Sequence, residues 1–268
     1  MILVFPVSQA DSELALKLAE WIAELSNVAA HECLVVAPPN AAQSAERVAA
    51  ILRPHFRMVH LFTTEKNHDL GWPSSPNYMF HATGNYLAQR NNRQPWYWFE
   101  ADNTPLHENW LNDVTTEHNL SGKPFTGVVE YGRVKNPTTG EMVKADVPHM
   151  NGNGVYPPVW AAFSPVFQTI HLFKEASPFD LYIRYELNGR VNPSKVIFNN
   201  WKTRAYTRLP DGTLACKALD EAHPPKEIPA GVAVVHGCKD GSLLELLKRE
   251  RSAPKPLSKK PKQPELSE

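Results

Sequence analysis

Glu100 and Asp102 stand two residues apart, directly after Gln94-Pro95-Trp96-Tyr97-Trp98-Phe99, the most aromatic stretch of the chain. Four aromatic residues in a row suit a central buried strand. Two carboxylates at the end of such a strand can reach one cation. Hard divalent ions such as Mn²⁺ or Mg²⁺ prefer carboxylate oxygen and keep positions open for phosphate oxygens. In open α/β sheets, ligands lie beyond the carboxyl ends of the strands. On spacing alone, the same two acids would serve equally as turn residues, with Asp102 capping the next helix.

A second group is Val234-Val235-His236-Gly237-Cys238-Lys239. A His at a strand end precedes a Gly, which permits close backbone approach. A neutral imidazole would add a third metal ligand to the two acids. Lys239 would neutralise a phosphate and stabilise a leaving diphosphate. Taken alone, a surface His in a turn would read the same way. A third group is Asn151-Gly152-Asn153-Gly154, inside Pro148–Pro157. Glycine and asparagine at this density are costly unless the backbone needs unusual dihedrals. Asp146–Val159 is therefore expected to be an irregular loop that lines a ligand.

These groups need a scaffold. Ile2–Val7, Glu32–Ala37 and Arg57–Phe62 read as short apolar strands. Between them, Leu14, Leu18, Trp21, Ile22 and Leu25 follow the helical period, with Asp11 or Ser12 as cap, and Ala41–Leu52 reads as a second helix. Buried strands alternating with amphipathic helices imply a parallel sheet covered on both faces. Further on, Asn67–Asn77 reads as a loop and Tyr78–Gln89 as a helix. Trp110–Glu117 reads as a helix, Thr126–Tyr131 as a strand, and Asn136–Gly140 as a hairpin turn. Leu181–Arg184 and Gly231–Val235 read as short strands, and Ser242–Lys248 as a closing helix. The expected fold class is α/β, a single Rossmann-like domain over residues 1–248 with a nucleotide-binding half, 1–103, and an acceptor half, 104–248.

With 268 residues, 42% hydrophobic and 21% charged, the chain can bury a sizeable core. Lys+Arg and Asp+Glu are both 28, which excludes a globally basic coat. Cys33, Cys216 and Cys238 are too few and too scattered for a disulfide framework, which points to a reducing, cytoplasmic setting. No apolar run reaches the roughly 20 residues of a membrane span. The segment 249–268 is rich in Pro and Lys and reads as a disordered tail. Over Arg249–Lys262 six basic residues face one acid, a charge that would suit phosphates. A solubilising tail would look the same.

Glu100-x-Asp102 after an aromatic strand resembles the DxD-type motif of GT-A glycosyltransferases, which use nucleotide-diphospho-sugars; Glu replaces Asp at the first position. His236-Gly-Cys-Lys239 resembles, at shorter spacing, the His-x-x-Gly-x-x-Lys region of glycosyltransferase family 8. Phe5-Pro6-Val7-Ser8 through Asp11, Trp98–Trp110 and His149–Pro157 resemble a group of bacteriophage-encoded GT-A-like proteins. Together the resemblance spans roughly Met1–Glu245. It implies that Glu100 and Asp102 bind the metal and the donor diphosphate, that His236 completes the metal shell, and that Lys239 contacts the diphosphate. It also implies that Pro6, Val7, Ser8 and Asp11 contact the nucleoside, and that Asn151 and Gly152 lie beside the sugar. Asp180 falls where inverting members place a catalytic base, whereas the family-8-like C-terminus implies retention, and the sequence leaves both outcomes open. The implied acceptor is a hydroxymethylated pyrimidine in double-stranded DNA, with a protein or glycan hydroxyl as the alternative.

Two other readings compete. A nucleotidyltransferase would carry glycine and a basic residue after the first strand, and Val7-Ser8-Gln9-Ala10-Asp11 has neither. A non-catalytic binding module of the same fold would have no need for the acids and His236.

Overall fold

The computed structural model of the protein describes residues 1–67, 71–135, 139–169, 178–200, 205–216 and 226–253. The chain opens with β1 (Ile2–Pro6), α1 (Ser12–Leu25), β2 (Glu32–Ala37), α2 (Ala42–Leu52) and β3 (Met58–Thr63), with a 3-10 turn at Pro39–Ala41 leading into α2. It continues through α3 (Ser74–Gln89), β4 (Trp96–Trp98), β5 (Asn103–Pro105), α4 (Trp110–Ser121) and β6 (Phe125–Glu130). A hairpin, β7 (Arg133–Lys135) and β8 (Met142–Lys144), leads into β9 (His149–Tyr156). Short helical turns follow: α5 (Trp160–Phe163), α6 (Pro165–Thr169), α7 (Phe179–Tyr182) and α8 (Arg184–Leu187). The chain closes with β10 (Val191–Pro193), β11 (Ile197–Asn199), β12 (Tyr206–Arg208), β13 (Leu214–Cys216), β14 (Lys226–Glu227), β15 (Val234–His236) and α9 (Ser242–Ser252).

Among the described residues, the main sheet has seven strands in the order β10-β6-β9-β4-β1-β2-β3. β4, β1, β2 and β3 run parallel, β10 runs parallel to β6, and β9 lies antiparallel to both its neighbours. The expected α/β architecture with a mostly parallel sheet is the one observed. Strand residues alternate between two cores, as the pleat requires. Ile2, Val4, Leu34, Val36, Trp96 and Trp98 pack with Phe80, Tyr156, Phe167 and Phe179 on one face. Leu3, Phe5, Cys33, Val35, Tyr97 and Phe99 pack with α1, α2, Trp110 of α4 and α9 on the other. Coverage of both faces is why these strands read as unbroken apolar runs. β3, at the sheet edge, is only half covered, and Met58 and Leu61 are exposed.

Several expectations change. Asp146–Val159 is not an irregular loop: His149–Tyr156 is a strand inside the sheet, between β6 and β4. Its glycines serve close packing. A Cβ on Gly154 would sit 3.0 Å from the Thr126 carbonyl oxygen, and one on Gly127 would sit 2.8 Å from Met150. The register slips between Gly127 and Val129, so the pair bends there. Leu181–Arg184 is not a strand but the junction of α7 and α8. The Leu181 amide bonds back to Pro178 and to Oδ1 of Asp180, which favours a turn. α3 starts at Ser74, inside the expected loop; Pro76 is tolerated because it lies in the first turn. α9 runs past Lys248 to Ser252, since Arg208 pairs with Glu250 and Arg251 reaches the Glu24 carbonyl. The rest of the expected tail, residues 254–268, lies outside the described residues, as do residues 136–138 of the expected hairpin turn.

Phe80 is fully buried, with ring centroids 4.0–5.1 Å from Trp96, Trp98, Tyr156, Phe167 and Phe179. Phe80→Ala is expected to cost about 3–5 kcal/mol of stability. Denaturant titration checks this, and a midpoint near that of the parent would contradict it.

Candidate active site

Two strands and one register bring the acids and the histidine together. β4 carries the aromatic run through the middle of the sheet, and the chain then turns at Glu100–Asp102. β5 leaves the main sheet and pairs antiparallel with β15, so that Asn103 faces His236. The turn is locked to the far strand: Gly237 and Cys238 donate their amides to the Asp102 carbonyl at 3.2 and 3.1 Å. Gly237 has φ of 100°, a conformation that favours glycine at this close approach.

His236 Nε2 lies 3.2 Å from Glu100 Oε2 and 3.2 Å from Asp102 Oδ1. One potential ligand atom from each residue lies within 4.8 Å of the others. The ring hydrogen serves Glu100, and the buried Oδ1 of Asp102 has no hydrogen-bond partner. Trp98 Nε1 donates to Glu100 Oε1 at 3.2 Å, so the aromatic strand orients the first acid. His236 Nδ1 faces Asn199 Oδ1 at 3.2 Å. Burial works against a charged His236, but the carboxylates of Asp102 and Glu100 outweigh it and push its pKa up to about 10. Burial would raise Asp102; the His236 imidazolium and Lys239 hold it below its ordinary value. The cluster is thus two acids sharing one proton-bearing cation. Two hard oxygens, one imidazole nitrogen and an unsatisfied buried carboxylate oxygen fit a divalent ion such as Mn²⁺ or Mg²⁺ in place of that proton.

The cluster opens into a cavity of about 530 Å³, within the size of small-ligand sites. It lies at the carboxyl ends of β1 and β2, as expected for an open parallel sheet. Pro6, Ser8, Asp11, Glu100, Asp102, Asn151, Gly152, Asp180, His236 and Lys239 all line it. Val7 does not: its side chain is buried in the core and its amide donates to the Val36 carbonyl at 2.8 Å. The pleat turns Val7 inward while its neighbours face the cavity. Ser8 and Asp11 close a loop on themselves, Ser8 Oγ donating to Asp11 Oδ2 at 2.7 Å. Lys239 is exposed at the cavity wall. Asp180 sits in the first turn of α7 and accepts from the amides of Gly152 (3.2 Å) and Leu181 (2.9 Å), with His149 Nε2 at 3.6 Å. Burial raises its pKa above the ordinary carboxylate value, against the opposing pull of His149.

Sequence reasoning missed the wall built by the start of α3, including Trp72, Ser75, Asn77 and Tyr78. The Gly, Pro and Asn content of Asn67–Asn77 signalled only a loop. Asn40, Thr64 and Asn67 also line the cavity. They carry no pattern of their own and are gathered only because β1, β2 and β3 end side by side.

No family model matches the chain, and no curated protein matches it. Among solved structures it is similar to an active-site mutant of LgtC, at 13% identity over 95% of this chain and 98% of that one, with a TM-score of 0.56. It is also similar to the galactosyltransferase LgtC in complex with donor and acceptor sugar analogues (14%, 93% and 94%, TM-score 0.54). A third is mouse xyloside xylosyltransferase 1 in its apo form (12%, 88% and 98%, TM-score 0.51). The chain has a GT-A glycosyltransferase fold. No described helix is long and apolar enough to cross a membrane.

A metal must displace the His236 proton, so its affinity is expected to rise with pH. The expected dependence is about tenfold per unit below the His236 pKa. An ordinary histidine would confine this dependence to about pH 6 to 7; the paired acids extend it toward about 10. Metal-free stability has the opposite slope: a raised histidine pKa stabilises fully below about 6.5 and that contribution is lost as pH climbs through about 10. Mn²⁺ titrations monitored by melting temperature between pH 6 and 8.5 check both signs. A metal affinity that does not change with pH would remove His236 from the ligand set.

Proposed function

We propose that the chain is a metal-dependent glycosyltransferase that moves a sugar from a nucleotide-diphospho-sugar to an acceptor hydroxyl. The observation that carries this reading is the convergence of Glu100, Asp102 and His236 at the wall of a strand-end cavity, within a GT-A fold. Glu100, Asp102 and His236 are assigned as the ligands of Mn²⁺ or Mg²⁺. A bound ion would supply Lewis acidity and charge neutralisation for the diphosphate.

Charge supports the metal requirement. The cavity is lined by Asp11, Glu100, Asp102 and Asp180, against Lys239 and His236. A nucleoside diphosphate entering this acid-rich wall is repelled unless a divalent cation is present. Lys239 is assigned to the diphosphate. Pro6, Ser8 and Asp11 are assigned to the nucleoside, through the loop that β1 delivers. Asn151 and Gly152, on β9, are assigned to the sugar.

In the transfer, the bond between the sugar anomeric carbon and the diphosphate oxygen breaks, and the diphosphate leaves with the electron pair. The acceptor oxygen bonds to that carbon and gives up its proton. Asp180 is assigned to take the proton: it faces the same cavity, and its raised pKa suits a base.

The acid-rich wall favours an uncharged glycan hydroxyl over hydroxymethylated DNA as acceptor. Arg251, in the basic segment whose charge would suit phosphates, packs over Trp21 and donates to the Glu24 carbonyl. The three buried free thiols support the reducing, cytoplasmic setting.

The test is mass spectrometry of products from the protein, Mn²⁺, a panel of nucleotide-diphospho-sugars, and both glycan and hydroxymethylated DNA acceptors. Sugar transfer that chelation by EDTA stops is the expected result. The absence of both transfer and donor hydrolysis with every member of the panel would overturn the enzyme reading. Asp102→Asn is expected to abolish Mn²⁺-dependent stabilisation while the protein still folds. Lys239→Ala is expected to weaken nucleoside diphosphate binding roughly tenfold, as the loss of one charged contact. Calorimetric titration with the diphosphate and Mn²⁺ checks the second, and unchanged affinity would move Lys239 out of the site.

A further inference from the structure

Behind the metal cluster lie two polar side chains, Asn199 and Glu130, that the proposed transfer does not use. Asn199 ends β11, and the parallel pairing of β11 with β15 puts it beside His236. Glu130 ends β6. Asn199 Nδ2 donates to Glu130 Oε1 at 2.9 Å, and Asn151 Nδ2 donates to the same oxygen at 3.4 Å. Asn199 Oδ1 lies 3.2 Å from His236 Nδ1. Asn151 is held from its other side, since its Oδ1 accepts the Asn153 amide at 3.1 Å.

The chemistry of these groups fixes every direction in the chain. An ionised carboxylate only accepts, so Glu130 must face the NH₂ of Asn199. That leaves the Asn199 oxygen toward His236. An amide oxygen only accepts, so His236 Nδ1 must carry the hydrogen. When the ring loses its other proton, the lone pair can then appear only on Nε2, the nitrogen that faces Glu100 and Asp102. A histidine with the opposite tautomer would present a hydrogen to the ion. Outer partners that orient a ligating imidazole in this way typically change metal affinity by 10–100-fold.

We propose that Glu130 and Asn199 are positioning residues: Glu130 fixes the orientation of the Asn199 amide, and Asn199 fixes the tautomer through which His236 takes a metal. This rests on the reading of Glu100, Asp102 and His236 as metal ligands. Because Asn151 shares the Glu130 oxygen, the strand assigned to the sugar and the histidine assigned to the metal hang from one carboxylate.

The experiment is a Mn²⁺ titration of the full chain, with free ion counted by electron paramagnetic resonance and the metal-free melting temperature measured in parallel. Asn199→Leu keeps the branching at Cγ and removes the acceptor; it is expected to weaken Mn²⁺ at least about tenfold, out of proportion to any shift in melting. The exchanged pair, Glu130→Gln with Asn199→Asp, keeps the net charge. It reverses the link between positions 130 and 199, with the amide now at 130 donating to the carboxylate now at 199, and keeps an acceptor toward His236. It is expected to bind Mn²⁺ within about threefold of the parent, since both links of the chain survive. Should Asn199→Leu fail to fold, Asn199→Ala takes its place in the same titration. Parent-like Mn²⁺ affinity in the acceptor-free variant overturns the proposal. So does an exchanged pair as weak as that variant, since an acceptor kept toward His236 would then not be what holds the affinity. A parent chain that takes up neither Mn²⁺ nor Mg²⁺ overturns the metal reading, and the positioning roles with it. Parent binding that His236→Ala abolishes and Asn199→Leu leaves intact overturns the positioning roles alone.

Discussion

The antiparallel pairing of β5 with β15 is the constraint on which the site depends. It takes the turn after the aromatic strand and fastens it to a strand more than a hundred residues later, with Asn103 opposite His236. Asp102 is buried by this pairing. A buried carboxylate without a counter-charge is costly, and His236 supplies the charge. The same cost would let the cluster exchange the His236 proton for the metal of the proposed function. One cation is required at this point, and the geometry is indifferent to which provides it until the pH decides.

Packing and chemistry share the same residues. β4 alternates its rings between two cores, Trp96 and Trp98 toward Phe80, Tyr97 and Phe99 toward Trp110. The rigidity this gives reaches the acids directly, because Trp98 donates to Glu100. It also reaches the opposite wall, because Phe80 stacks on Phe179, the residue before Asp180. A site whose side chains must stay within hydrogen-bond distance of one another benefits from strands held by large, fully buried rings.

The glycines of β9 show how a sheet can accommodate a cavity wall. Gly154 allows β9 to approach β6, while Gly152 leaves room for Phe179, whose ring would lie 3.1 Å from an added Cβ. The Gly152 amide is held by the Asp180 carboxylate. β9 is thus a central strand and a cavity wall at once.

Much of this was legible in the sequence. Apolar periodicity alone marks β1, α1, β2, α2 and the aromatic strand, since each buries a pattern that only one local conformation can bury. The acids, His236 and Lys239 stood out by residue type at strand ends. The stretch around Asn151 did not give up its conformation, because glycine and asparagine are favoured both by loops and by tight strand packing, and only the neighbouring strands decide between them. Val7 looked no different from Pro6 and Ser8 until the pleat turned it into the core. Glu130 and Asn199 carry no signal in the chain at all. The registers of β6, β11 and β15 made Asn199 a partner of His236 and Glu130 a partner of Asn199, and register is set by contacts between segments far apart in sequence. What the sequence determined by itself was which residues could bear charge or bind a metal. Which of them meet was decided only by the tertiary structure, because a carboxylate, an amide and an imidazole act on one another over about 3 Å, a distance that no spacing along the chain encodes.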